Sequence, residues 1–532
     1  SKSGTQIDDW FETLNLMANA KYSTGKDANR LTLLETLGGG VALVDVDGDL
    51  DLDLFVVGGG TIDAATGETH GARCVLLENK GDFHFDDVTD SFGNLTPSSY
   101  SHGSAIGDFD RDRCPDLFVS CYGQSELYRN QDGRRFQRVS EAARCIASSW
   151  DTAAVLVDLT GDGFPELYVA AYVDLDTRTS TSCPVPNSKL RDVCHPQRYL
   201  PLRDRLYLNL GDGTFRDVTV EAGLPTSGRG LGVLAADFNS DGRPDLYIAN
   251  DGDPNHLLLG NDEWPLSDTA MTAGVAVNER GAAEGSMGVD FADVDGDQRG
   301  DIWVTNFELE DNSLYLNQGH GQFQHATTRL GLAGTSRAYV GFGTGLYDFD
   351  GDNWPDIHVV NGHVSYHLRQ SPFLQPPFLY RNQEGKRFDD VSDQGGAFFR
   401  QRHAARGTAV GDLNGDGALD LVISRLDEPI AILKNRRHPA NWISCRIVPR
   451  QGDAQAVGAT VTVTAFGRDC MTPIRLGTSF LSHSDNEPTF SLESDRETAE
   501  ISVTWPDQTT ETFRGLKTRR KHVLIQQSAS RQ

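Results

Sequence analysis

The sequence predicts an all-β chain, a seven-bladed β-propeller followed by a small C-terminal β-sandwich. Three observations point there: a glycine-rich, methionine-poor composition, an acidic nine-residue pattern that recurs seven times, and strand-like segments grouped in fours around the recurrences. The 532 residues suffice for two or more domains and a large buried core. Hydrophobic content of 38% and charged content of 23% are those of a folded protein, while 55 Gly against 4 Met favours turn-rich β structure over helix bundles.

The pattern is D-x-[D/N/T]-x-D-x-x-x-[D/E]. Its first, third, fifth and ninth positions are Asp45, Asp47, Asp49 and Asp53, then Asp108, Asp110, Asp112 and Asp116, then Asp158, Thr160, Asp162 and Glu166. Next come Asp237, Asn239, Asp241 and Asp245, then Asp293, Asp295, Asp297 and Asp301. The last two are Asp348, Asp350, Asp352 and Asp356, and Asp412, Asn414, Asp416 and Asp420. The starts lie 63, 50, 79, 56, 55 and 64 residues apart.

Oxygen ligands at these positions, with a main-chain carbonyl from the seventh, make a hard-oxygen cage of the kind that takes calcium at about 2.3 to 2.6 Å. The loop is like the first part of an EF-hand without its distal bidentate Glu and flanking helices, which disfavours a calmodulin-like sensor. For one copy, an acidic β-turn explains the residues equally well. For seven copies it fails, because clustered carboxylates repel unless a cation sits among them. The loops hold 25 carboxylates against a net charge of -28, so metal sites account for the acidity. Up to about seven Ca2+ ions are therefore expected.

Each loop follows a small apolar strand (GGGVALVDV, HGSAIGDF, RGLGVLAADF, RGTAVGDL) and precedes another (DLFVV, DLYIAN, DIWVTN). A third strand of the form LLEN, LYRN, LYLN or FLYRN comes next, then a Gly turn and a fourth strand such as FDDV or FRDV. Four strands per repeat read as blades, and seven repeats as seven blades. Residues 1–36 are assigned to an N-terminal segment that closes the propeller, 37–437 to the propeller, and 438–532 to the sandwich, whose strands are ISCRIVP, ATVTVTAF, AEISVTWP and HVLIQQ.

These repeats resemble the FG-GAP/VCBS repeats of the integrin alpha-subunit propeller. The stretch YSTGKDANRLTLLETLGGGVALVDVDGD, the blade endings IANDGDPNHLLL and VVNGHV, and the tail VGATVTVTAFGR with GTSFLSHSDNEPTFSL resemble the cartilage acidic protein family, in which an FG-GAP propeller precedes an ASPIC/UnbV domain. The resemblance implies calcium binding and a secreted, extracellular or periplasmic and cell-surface setting. Similar proteins include adhesion-type matrix proteins and companions of enediyne biosynthesis. Thr160 and Glu166 in the third loop, and Arg111 and Cys114 in the second, depart from the pattern, so calcium is expected least there.

In an integrin-like blade the loop lies on the lower face, so the start of strand one rings the upper mouth of the channel. That places His102, Asp151, Arg229, Glu284 and Arg406 at the mouth, with Asn250, Asp251, Asn306, Asn361 and His363 from the ends of strand two. His and carboxylate there would serve as ligands of an additional metal or as acid and base. The plainer alternative is that these groups pair with one another, and that His363 is a hydrogen-bonded structural histidine. An insertion, Val173 to Arg205, rises on the same face, and a second, Ser365 to Pro377, is expected to oppose it.

Two functions are carried forward. One is an adhesion or ligand-binding module that holds a protein or glycan on its upper face. The other is an enzyme, a sugar lyase or dehydratase or a biosynthetic cyclase. In it His102 or His363 acts as metal ligand or base, Arg229 or Arg406 holds an anion, and Asp151 and Glu284 complete the candidate catalytic set. The acidic charge disfavours nucleic acid and anionic membranes. No apolar run approaches the roughly 18 residues of a membrane span, and the chain opens at Ser1 without a basic and apolar leader, so any signal peptide is read as removed or outside this sequence.

Eight cysteines without a CxxC pair suit an oxidising compartment. Cys183 with Cys194, and Cys445 with Cys470, are the expected pairs. No phosphate loop, H-E-x-x-H or G-x-S-x-G occurs. The RGD at Arg299–Asp301 is set aside because Asp301 closes the fifth loop, and Asn94-Leu95-Thr96 is a lone glycosylation sequon.

Overall fold

The structure, a computed structural model, describes residues 9–14, 19–261, 264–367, 371–450 and 455–527. Parts of the N-terminal segment (1–8 and 15–18), of the second insertion (368–370) and of the C-terminal end (528–532) lie outside the described residues.

Seven four-stranded antiparallel units follow one another among the described residues, the second and third joined into one eight-stranded sheet. Their innermost strands are Val41–Val44, Tyr100–Gly107, Ser148–Val157, Gly230–Ala236, Val289–Ala292, Gly341–Tyr347 and Ala405–Gly411. Each packs beside the innermost strand of the unit before and after it, and the last packs on the first, so the units close a ring about a central channel. In the seventh unit the outermost strand is Phe11–Leu14, from the N-terminal segment, paired antiparallel with Glu428–Asn435. Closure therefore joins the two ends of the repeat array through main-chain hydrogen bonds.

The strands read as near-continuous apolar runs because both of their faces are covered. Apolar cores lie between neighbouring units: Val41, Leu43 and Leu54 pack with Ala409, Val422 and Ile432, and Leu234 and Tyr247 pack with Val289 and Phe291.

The C-terminal domain has two sheets, one of Arg468–Pro473, Thr460–Ala465, Thr498–Thr504 and Thr510–Lys517, the other of Thr489–Ser491, Trp442–Val448 and Lys521–Ile525. Ile443 and Ile447 of one sheet share a core with Val461, Val463, Ile501 and Val503 of the other, which makes the domain a sandwich.

This domain sits on the loop face of the ring, and its docking points recur at the sixth loop position. Lys521 Nζ donates to the carbonyl of Leu50 (3.1 Å), and the Asn353 side chain bonds Ser491 in both directions (2.9 and 2.8 Å). Trp442 lies so close on Gly417 that a Cβ there would come within 2.2 Å of the indole, and Pro506 meets Gly242 in the same way.

From the sandwich a strap, Leu476–Asp485, enters the channel. Leu476 exchanges main-chain hydrogen bonds with Ala235 (2.9 and 3.0 Å), and Ser479 with Val289 (3.1 and 2.7 Å). His483 accepts from the Leu43 N–H (2.9 Å) and donates to the Val41 carbonyl (3.0 Å), and Asp485 N–H donates to Val410 (3.0 Å). An innermost strand has one unpaired edge, and buried main-chain groups need partners. The strap supplies them. Gly477, at φ 77°, passes where a Cβ would come within 2.2 Å of the Val233 carbonyl.

Candidate metal centres and the channel mouth

Each loop is shaped by short-range hydrogen bonds that turn its oxygens inward. In the sixth unit Asp348 accepts from the N–H groups of Gly351 (2.8 Å) and Asn353 (2.7 Å), and Asp352 accepts from Trp354 (2.9 Å). The ninth-position acid opens the next strand and is buried in every unit: Asp53, Asp116, Glu166, Asp245, Asp301, Asp356 and Asp420. One of its oxygens accepts the N–H of the second loop residue, as Asp301 does from Val294 (2.9 Å) and Asp420 from Leu413 (3.0 Å).

Four loops bring three carboxylates together with ligand oxygens within 4.8 Å of one another: Asp45, Asp47 and Asp49; Asp108, Asp110 and Asp116; Asp293, Asp295 and Asp297; Asp348, Asp350 and Asp356. That spread is about twice a calcium–oxygen distance. The third, fourth and seventh loops follow the same path with Thr160, Asn239 and Asn414 at the third position.

Burial, with neighbouring carboxylates adding to it, pushes these acids up: Asp53 to about 7, Asp108, Asp237, Asp293 and Asp412 to about 6, Asp348 to about 7 and Asp116 to about 9. Several inward oxygens also lack hydrogen-bond donors: Asp295 Oδ1, Asp350 Oδ1, Asn414 Oδ1 and Glu166 Oε1 are buried without a partner. Buried acceptors left unpaired are costly. A divalent cation among them would supply the missing partner and hold the carboxylates ionised, so the residues present fit calcium.

Sequence reasoning missed two sets of residues. One is the asparagine that ends the third strand. Its N–H donates to the ninth-position acid in the first, second, fifth, sixth and seventh units, and its side-chain amide reaches the preceding unit of the ring: Asn79 to Leu413, Asn130 to Val46, Asn209 to Phe109, Asn317 to Phe238, Asn382 to Val294 and Asn435 to Phe349, at 2.8 to 3.3 Å. Gly260 holds this place in the fourth unit, its N–H donating to Asp245 at 2.7 Å. The repeated terminal Asn was visible as a pattern, but its partner lies in another unit. The other set is the arginines beside the loops: Arg129 pairs with Asp110 and Asp112, and Arg381 with Asp350 (2.6 Å) and Asp352 (3.3 Å).

The expected open, charged channel mouth is not formed. His102 is fully buried, its Nδ1 against the Gly38 carbonyl (2.9 Å) and the Tyr22 hydroxyl (3.1 Å), while its Nε2 accepts from Trp150 Nε1 (3.1 Å). Burial lowers it to about 4, so it is neutral. Asp151 accepts from Ser125 (2.6 Å) and pairs with Arg205; Arg229 pairs with Asp253 (2.6 Å). Glu284 accepts from Asn278, Asn306 and Ser313 (2.8 to 2.9 Å). His363 Nδ1 accepts from Ser365 N–H (2.8 Å), and its Nε2 lies 3.5 Å from Glu308.

Arg406 is enclosed, donating to the carbonyls of Thr36, Leu37, Ala405 and His363 and lying 4.0 Å over the Phe342 ring. Phe342 in turn meets Phe480 of the strap at 5.0 Å. The strand-two residues bond nearby groups: Asn250 and Asn361 donate to Pro254 and Pro376, Asn306 to Asp311, and Asp251 accepts from Tyr172. The physical reason for the difference is cover: the strap fills the channel from below, and the two insertions meet above it. Asp192 of the first accepts from the N–H groups of Tyr366 (3.0 Å) and His367 (2.8 Å) of the second.

Cys183 and Cys194 are bonded, stapling the first insertion. Cys445 and Cys470 are not: both are free and buried, on different sheets of the sandwich, where each fills the apolar core as a small hydrophobe. In the RGD triplet Asp301 is buried, and the Arg299 side chain turns to Asp297 and the Asn317 carbonyl.

A closed ring of four-stranded units, each with an acidic loop on one face, defines a β-propeller. The FG-GAP-like repeat matches residues 108–169, 199–248, 237–304, 293–359 and 348–423, and ASPIC and UnbV matches residues 449–531. The chain belongs to the family of FG-GAP repeat proteins that carry an ASPIC/UnbV domain. Cartilage acidic protein 1 of Mus musculus is 26% identical over 502 residues, covering 88% of this chain and 70% of its own. That of Homo sapiens is 24% identical over 512 residues, covering 88% and 68%. A solved Agrocybe aegerita lectin that recognises non-reducing terminal N-acetylglucosamine is similar at a TM-score of 0.40, with 17% identity, over 66% of this chain and 79% of its own. At that score the likeness carries no argument about this chain.

Proposed function

We propose that the chain is a secreted, calcium-loaded, seven-bladed propeller that acts as an adhesion or ligand-binding module through the face opposite its carboxylate loops. Positions one, three, five and nine of each loop are the calcium ligands, up to about seven ions in all. The role of the ions is rigidity: each cancels the repulsion within a loop and fixes the two strands that enter and leave it.

The observation that carries the reading is that the loop face is already covered by the chain's own C-terminal domain, which leaves the opposite face for a partner. Connections between strands two and three emerge there, and they expose Leu200 (74%), Leu309 (72%) and Leu374 (43%). Exposed apolar groups gathered at one rim mark interaction surfaces. The disulfide in the first insertion favours an oxidising setting, and among the described residues no helix is long and apolar enough to cross a membrane.

The test is binding of the calcium-loaded protein to arrays of extracellular-matrix proteins and glycans. Retention on at least one target, lost in a Leu200→Asp, Leu309→Asp double variant whose melting temperature is unchanged, is the expected result. No retention on any target, or retention untouched by the double variant, contradicts the reading.

A further inference from the structure

A cavity of about 690 Å³ lies at the seam between the first unit, the second unit and the C-terminal sandwich. This size falls within the roughly 300 to 1,000 Å³ of small-molecule sites, which concentrate at domain boundaries. Two side-chain contacts bridge its walls, Gln455 Nε2 to the Ile106 carbonyl (2.9 Å) and Arg446 to Asp45 (3.0 Å). Between them the seam stays open.

His483 and Asp485 of the strap line the cavity. The main-chain groups of His483 are committed to the first unit, yet its ring makes no hydrogen bond among the described residues. Burial lowers it to about 4, so at neutral pH one ring nitrogen donates and the other accepts. One Asp485 oxygen accepts the Glu487 N–H (3.2 Å), and the other makes no hydrogen bond among the described residues. Burial and Glu487 push this carboxyl up to about 8, which leaves it a donor.

Arg113 and Arg450 also line the cavity, and both are exposed. Each uses its main-chain N–H, to Asp108 and to Gln526, but neither guanidinium makes an ion pair or hydrogen bond among the described residues. Guanidinium groups match carboxylate and sulfate geometry through paired N–H donors.

We propose that this seam binds a small acidic sugar, with its carboxylate or sulfate ester held by Arg113 and Arg450 and its hydroxyls by His483 and Asp485. The site is separate from the partner face proposed above. It rests on the calcium reading in one respect: Asp45, Asp47 and Asp108 also line the seam, and calcium in their loops offsets their repulsion of an anion, while of the other acids there Glu487 is paired with Arg446 and Lys521 and Asp132 is exposed to solvent.

The test is a titration of the calcium-loaded protein, followed by calorimetry or saturation-transfer NMR, with glucuronate, glucose 6-sulfate and neutral glucose, and calcium content measured on the same sample. The expected result is binding of at least one anionic sugar, roughly tenfold or more tighter than glucose and weakened at least about tenfold by Arg113→Asn with Arg450→Ser. Both arginines are exposed, and Asn tolerates the left-handed backbone of position 113 (φ 72°), so the variant folds. The two anionic sugars distinguish a carboxylate from a sulfate ligand. Equal binding of glucose, no binding of either anion, or affinity unchanged in the double variant overturns the proposal. A sample without calcium that still binds the acidic sugar overturns the calcium reading alone.

Discussion

The side-chain amide of Asn382 donates to the main-chain carbonyl of Val294, 2.9 Å away and 88 residues earlier in the chain. Val294 is the second residue of the fifth loop, and its N–H is held by Asp301. Asn382 N–H is held in turn by Asp356 of the sixth loop (2.8 Å). One asparagine therefore ties two candidate metal loops together, and four other units repeat the arrangement with a different residue pair, while Asn209 of the third unit reaches Phe109 through its side chain alone. Asn382→Ala leaves the buried Val294 carbonyl without this donor, which costs about 1 to 3 kcal/mol. Chemical denaturation is the measurement; the midpoint falls while calcium per chain is unchanged.

Removing charge inside one loop acts locally. Asp348→Ala deletes a first-position oxygen together with acceptors for Gly351 and Asn353. The expected outcome is one calcium fewer per chain and a lower melting temperature in calcium, with the difference from wild type shrinking once calcium is stripped. A variant as far below wild type without calcium as with it counts against a metal in this loop.

Stability should depend on pH in opposite senses with and without calcium. Without it, Asp53 at about 7 and Asp108 and Asp237 at about 6 sit above an ordinary carboxylate, so the folded state holds protons that the unfolded state has released. Their contribution is lost as pH rises from about 4 through 7. His102, at about 4, sits below an ordinary imidazole, so its contribution is lost as pH falls from about 6.5 towards 4. Above about pH 6.5 the carboxylate trend prevails, and Asp116, at about 9, carries it on beyond pH 7. The melting temperature of calcium-stripped protein is therefore predicted to drop between pH 6.5 and 8, while that of calcium-loaded protein stays level there and falls below pH 6.

Thiol counting tests the corrected cysteine pairing. Denatured, unreduced protein should titrate six thiols, among them Cys445 and Cys470. Cys183→Ser should loosen the first insertion, at a cost of about 2 to 3 kcal/mol for a loop of this size, and make it the first site of proteolytic cleavage.

The strap predicts a single unfolding transition for propeller and sandwich, since Leu476–Asp485 satisfies strand edges around the channel. Phe480→Ala, which empties a fully buried ring site against Phe342, should cost about 3 to 5 kcal/mol. Two separate calorimetric transitions would contradict the docking.

The repeated loops were legible because Asp, Asn and Gly at fixed spacing carry both the turn and the ligand chemistry. Their flanking strands were legible because an apolar run between turn signals needs no distant partner to be recognised. The channel mouth was misread for the opposite reason. Whether His102 or Arg406 faces water depends on Trp150, the Thr36 carbonyl and a strap that begins 41 residues beyond the last propeller strand, Glu428–Asn435, which a local pattern does not encode. Cys445 and Cys470 share a domain, and sharing a domain does not by itself place two sulfurs in bonding reach.

The most direct measurement is calcium per chain by elemental mass spectrometry, on protein purified without added metal or chelator. The account predicts several calcium ions per chain, up to about seven, and a marked fall in melting temperature when they are removed. Protein that carries no calcium, and whose melting temperature is indifferent to both calcium and chelator, would contradict it.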